Sequence, residues 1–172
     1  MSARRARRAD TDEIVRLAAG MFTEINTQSP GADWHRAARD AVHRRVDDDL
    51  FVFVIDHPDR PSQLIALAAG IITDRLPTMR NPSGRVGYVQ WGATDPDWRR
   101  RGFAREVMIA LLARFDADQI AMDELHTSPD ARGLYTSLDF TEAPHPSLRR
   151  YPPRERVERS GVGFASDGPC TP

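Results

Sequence analysis

The chain has 172 residues, enough for one domain with a hydrophobic core of its own. Hydrophobic residues make up 40% and charged residues 28%, and 24 basic residues against 25 acidic ones leave a net charge of −1, which argues against a nucleic-acid binder built on excess positive charge. No stretch approaches the roughly 18 consecutive apolar residues of a membrane span. The basic residues near the start (Arg4, Arg5, Arg7, Arg8) lack the apolar core of a secretion signal. Cys170 is the sole cysteine and cannot form an internal disulfide, so the expectation is a cytoplasmic protein that neither enters a membrane nor needs a covalent staple.

Asp10-Thr11-Asp12-Glu13 predicts a helix start with Asp10 as N-cap and Glu13 reaching back as in a capping box. Ile14, Leu17, Ala18, Met21, Phe22 and Ile25 then recur at helical spacing. A second helix is expected from about Ala32, with Trp34, Ala38, Ala41 and Val42 on one face and Asp47-Asp48-Asp49 at its close. Residues 50–55 (LFVFVI) read as a buried strand, residues 57–61 as a hairpin loop, and residues 63–73 as a second strand. Residues 74–84 form a loop long enough to carry function. Residues 85–94 give a third strand, interrupted by Gly87 and Gly92, where a bulge or a close approach to the backbone is expected.

A helix follows over about residues 102–116, with Ala104, Val107, Met108, Leu111, Leu112 and Phe115 on its apolar face. Residues 120–127 read as another strand. Ser128-Pro129-Asp130 then starts a helix running to about Leu138. Residues 152–172, rich in proline and poor in apolar residues, read as a poorly ordered tail, which places the domain at residues 1–151. Three consecutive strands suggest an antiparallel meander, and strand–helix–strand adds a parallel crossover. The predicted fold class is α+β with a mixed, mostly antiparallel sheet flanked by helices.

Residues 92–105, GATDPDWRRRGFAR, carry the chemistry. A strand ends, a turn with Pro96 follows, and a glycine-containing basic run opens a helix. The first turn of a helix holds N–H groups without intrahelical partners at the positive end of the macrodipole. Gly102 lets an anion approach the backbone, and Arg99, Arg100 and Arg101 add charge and donors. This is the physical make-up of a diphosphate site. Its plainer alternative is three arginines on a solvated turn. Tyr135, in LYTSLDF, is by itself more typical of a core tyrosine than of a catalyst.

The strand GYVQWGATDP, the run WRRRGFAR, a helix, the strand ELHTS and the segment LYTSLDF together resemble the GNAT superfamily of acyl-CoA N-acyltransferases over about residues 85–140. The preceding two helices and hairpin follow the same family's element order. Arg99-x-x-Gly102-x-Ala104 is similar to that family's pyrophosphate loop, and LY-x-x-L-x-F to its second signature.

The resemblance implies acetyl-CoA as co-substrate and transfer of its acetyl group to a primary amine, with no metal. Gly92, Ala93 and Thr94 would face the thioester and pantetheine. Arg99, Arg100, Arg101, Gly102, Phe103, Ala104 and Arg105 would hold the pyrophosphate, and Ser128 would contact the pantetheine. Tyr135 corresponds to the tyrosine that protonates the departing thiolate, a role suited to a phenol with an ordinary pKa near 10. Many family members carry a glutamate on the strand before the loop. Gln90 stands in that stretch and cannot act as a base, which leaves Glu124, His126 or a bound water. Asp139 replaces the family's usual glycine, and residues 141–151 hold little to build further strands. The partner expected is a small-molecule or peptide amine, not nucleic acid or a membrane, and a homodimer is left open. The rival reading is a non-catalytic acyl-CoA-binding module.

Overall fold

A computed structural model of the chain describes residues 1–26, 28–144 and 147–151. The expected tail, 152–172, lies outside the described residues. Residues 1–140 form one compact unit, and the described residues beyond it carry no helix or strand.

The elements in chain order are β1 (Arg4–Arg5), α1 (Thr11–Asn26), α2 (Ala32–Arg45), β2 (Leu50–Asp56), β3 (Leu64–Asp74), β4 (Arg85–Thr94), α3 (Phe103–Ala117), β5 (Asp123–Leu125) and α4 (Arg132–Thr136). Short 3-10 turns precede α1, α3 and α4. The sheet runs in sequence order from β1 to β5. Neighbours are antiparallel except β4 and β5, which run parallel across the α3 crossover, so the meander and the crossover expected from the sequence are both present.

The core lies on both faces of β3. One apolar cluster joins α1 and α2 to the sheet through Ile14, Leu17, Val42, Val52 and Leu67; the other joins α3 through Val107, Met108, Leu111 and Phe115 to Ile65 and Ala68. β3 is buried on both faces over most of its length, which explains its continuous apolar run. Phe115 is fully buried and needs room in the sheet. Gly70 and Gly87 supply it: a Cβ on Gly70 would lie 2.9 Å from the Phe115 ring, and one on Gly87 2.6 Å from it.

Four local expectations are corrected. Asp10 is not the cap of α1. It closes a 3-10 turn, and its carboxylate accepts from the Arg7 N–H at 2.7 Å and from Arg4. Glu13 instead reaches Arg16 and the Leu64 N–H, tying α1 to the start of β3. Arg4–Arg5, read only as a basic stretch, is an edge strand on β2; two arginines give no β pattern to read. β5 is three residues rather than eight, and α4 is a single short helix behind a 3-10 turn.

Candidate active site

β4 carries a bulge that sets the geometry of the site. Trp91 pairs with Ala69 and Val89 with Gly70, so Gln90 has no partner on β3. The extra residue reverses the alternation of faces beyond it. Gly87 and Val89 face the α3 side, and Trp91 and Ala93 pack on the α1–α2 side. Gly92 then returns to the α3 side. β5 pairs with β4 only from Gly87 to Val89. Beyond that point no strand pairs with this edge of β4 among the described residues, and the two parallel strands splay apart.

Tyr135 reaches this splay from α4. A Cβ placed on Gly92 would lie 3.1 Å from the Tyr135 hydroxyl and 3.6 Å from the Met108 methyl, so any larger residue would press on the phenol at the β4 backbone. The Tyr135 carbonyl accepts the N–H groups of Leu138 and Phe140, at 3.0 and 3.1 Å, and its ring meets Phe140 edge-on. Asp139 closes that turn at φ 66°, the left-handed conformation expected where the family favours glycine. Burial pushes the Tyr135 phenol pKa up, which keeps the hydroxyl protonated.

The loop after β4 is shaped by two left-handed residues, Arg100 at φ 58° and Gly102 at φ 87°. Glu106 makes the first bond of α3, to the Gly102 carbonyl. The N–H groups of residues 100–105 therefore have no backbone acceptor among the described residues, and they lie at the positive end of a 15-residue helix. Nothing stands within 4 Å of a Cβ on Gly102, so the demand for glycine there comes from its φ angle.

The arginine side chains differ in what they do. Arg99 donates to Glu24 on α1 at 2.5 Å and to the Thr94 carbonyl at 3.2 Å, bracing the end of β4. Arg101 lies over the Trp98 ring at 4.9 Å, and Arg105 donates to the Ser137 carbonyl at 3.4 Å. Thr94 adds a buried hydroxyl with no hydrogen-bond partner among the described residues. Ser128 stands three residues beyond the end of β5 and spends no side-chain bond on capping the turn after it.

Glu124 and His126 point to the face opposite Tyr135. Asp123 and Leu125 lie on the α3 side, so Glu124 takes the other face by alternation. Its carboxylate pairs with Arg75 at 2.8 Å. His126 Nδ1 is hydrogen-bonded to the Tyr88 hydroxyl at 3.1 Å. Tyr88 is absent from the sequence candidates, because its meeting with a histidine 38 residues away depends on register that no local pattern encodes. A polar cavity of about 360 Å³ opens elsewhere, between the β2–β3 hairpin and Trp98, with His57 and Asp97 on its walls. It does not include Gly92 or Tyr135.

The sequence matches the profile of the acetyltransferase (GNAT) family over residues 13–140. The chain belongs to the GNAT family of acetyltransferases. It is therefore an enzyme of the acyltransferase class. The fold agrees with solved members. A predicted acetyltransferase with acetyl-CoA from Clostridium acetobutylicum superposes with TM-score 0.75 at 21% identity, covering 87% of this chain and 95% of that one. A GCN5-related N-acetyltransferase from Ralstonia eutropha JMP134 gives 0.73 at 22% identity, over 87% and 97%. Glucosamine-6-phosphate N-acetyltransferase from Arabidopsis thaliana gives 0.67 at 16%, over 87% and 97%. A search of curated proteins finds no significant match. Among the described residues no helix is long and apolar enough to cross a membrane, and no cluster of ligating side chains could hold a metal ion.

Proposed function

We propose that this enzyme binds acetyl-CoA in the splay between β4 and β5 and transfers the acetyl group to a primary amine. The observation that carries the reading is the Tyr135 hydroxyl, 3.1 Å from the Cβ position of Gly92, at the edge of β4 that no strand covers among the described residues.

The residues present fit the co-substrate. The N–H groups of residues 100–105 suit a pyrophosphate, and the unpartnered Thr94 hydroxyl suits an amide of the pantetheine arm. In this reading Arg100, Arg101, Gly102, Phe103, Ala104 and Arg105 hold the pyrophosphate, and Arg99 braces the strand that leads into them. Gly92, Ala93 and Thr94 line the acyl end, and Ser128 meets the pantetheine from the β5 side. Bound acetyl-CoA supplies an acetyl group activated as a thioester. The backbone of β4 stabilises negative charge on the reacting carbonyl oxygen, Tyr135 donates its proton to the departing sulfur, and Glu124 or His126 receives the proton that the amine loses. The catalytic domain takes in residues 1–151.

Two measurements test this. CoA should raise the melting temperature, and dephosphorylated pantetheine should do so far less, because the cradle reads the pyrophosphate. Thiol release from acetyl-CoA should depend on an added amine. CoA binding with no thiol release for any amine class would favour the rival reading of a binding module.

A further inference from the structure

On the face of the sheet opposite Tyr135, two side chains meet where β5 leaves β4. The last β4–β5 pair is Val89 with Leu125, and His126 is the next residue of the chain. Its imidazole therefore stands at the mouth of the splay. It is exposed, whereas Tyr88 is half-buried in the sheet, so the phenol is the fixed partner. Their rings are 6.1 Å apart at 75°, and Tyr88 Oη lies 3.1 Å from Nδ1.

We propose that His126 is the proton acceptor for the amine and that Tyr88 is its positioning residue. This rests on the acetyl-transfer reading above and decides between the two acceptors left open there. Tyr88 Oη accepts from the Nδ1–H, which fixes the ring and leaves the Nε2 lone pair free. The attacking nitrogen forms its bond to the acetyl carbon as the carbon–sulfur bond breaks. Nε2 takes the proton that nitrogen loses, and Tyr135 gives its proton to sulfur from the other face. The imidazolium keeps its Nδ1–H bond to Tyr88 and returns its proton to water at the exposed edge, and the Tyr135 phenolate regains its proton from water once CoA leaves. Glu124 is the competing acceptor, but its carboxylate is paired with Arg75 at 2.8 Å and would have to leave that partner to reach the amine. On this face Tyr88 meets His126 directly, and Arg75 pairs with Glu124 beside them.

The first test needs no turnover. Nitrogen-15 spectra of the imidazoles in the full chain should show His126 with its hydrogen on Nδ1 at neutral pH, and Tyr88→Phe should abolish that preference. A hydrogen on Nε2 in the unaltered enzyme would overturn the proposal. The second test uses whichever of n-butylamine, spermidine, kanamycin and lysine methyl ester supports the fastest thiol release. His126→Gln should lower kcat/KM about 10²-fold, with loss of its acid limb, and Tyr88→Phe should lower it about tenfold and displace that limb, with CoA affinity unchanged in both. An acid limb that survives His126→Gln and disappears in Glu124→Gln would overturn the assignment in favour of Glu124. Absence of turnover with every amine would count against acetyl transfer itself, while the tautomer measurement still decides the Tyr88–His126 pairing.

Discussion

The Tyr135 hydroxyl is distinguished from an ordinary buried phenol by its neighbour, a glycine backbone at the open edge of a strand. Tyr135→Phe keeps the ring on Phe140 and removes only the oxygen, so it separates packing from proton donation. The expected result is a fall in kcat of about 10²-fold with the CoA dissociation constant little changed, measured by steady-state thiol release and calorimetric titration. Near-normal kcat in a well-folded variant would leave the sulfur to another donor. Asp123 makes a separate prediction, about stability. Its Oδ1 is buried without a hydrogen-bond partner among the described residues, and desolvation, with repulsion from Asp116, pushes its pKa up to about 6 from 3.8. The folded state thus holds this proton more tightly than the unfolded chain. The contribution is complete below about pH 3.8 and is lost as pH rises through about 6. Asp123→Asn should raise the melting temperature at pH 8 and change it little at pH 4; an equal shift at both would refute the linkage.

At the scale of elements, β4, the loop and α3 form one working unit, and glycine placement shows it. Gly102 takes φ 87° with open space around its Cβ position, so Gly102→Val acts by straining the backbone that sets out the row of N–H groups. CoA should no longer raise the melting temperature of that variant; equal stabilisation of both proteins would remove the pyrophosphate assignment. This unit was largely legible in the sequence. The bounds of β4 read directly, because strand, breaker and helix each leave a local pattern, and glycines within β4 signal close approach. What approaches was not legible: Phe115 at Gly87 and the Tyr135 hydroxyl at Gly92 come from elements later in the chain. The bulge also sits at Gln90 rather than at either glycine, since a bulge belongs to the pairing of two strands and not to one of them. β1 escaped notice for the same reason: Arg4 and Arg5 are a strand only because β2 presents an edge.

Across the whole molecule, arginine–carboxylate contacts tie α1 to the start of β3 and the end of β4. Arg16 donates to Asp95 at 3.0 Å and to the Leu64 carbonyl at 2.8 Å, and Glu13 accepts from the Leu64 N–H. Arg99 adds the link from Glu24 to the Thr94 carbonyl. Arg99 heads the proposed pyrophosphate motif, yet its guanidinium is committed to this strut, which separates two roles by experiment. As a strut, its effect on CoA passes through Glu24, so Arg99→Ala and Glu24→Ala should weaken CoA binding by similar small factors. The double variant should then be no worse than either single one, the signature of one shared interaction in a double-mutant cycle. Both partners are well exposed, at 42% and 51%, so the loss of stability should stay within about 1 kcal/mol, or roughly 2–4 °C in melting temperature. As a direct phosphate ligand, Arg99 would behave differently: Arg99→Ala alone would cost affinity, and Glu24→Ala would free the guanidinium and tighten binding. Titration of CoA into the four proteins separates the cases, and tighter binding by Glu24→Ala would show that the motif's first arginine acts on the cofactor and not on the frame around it.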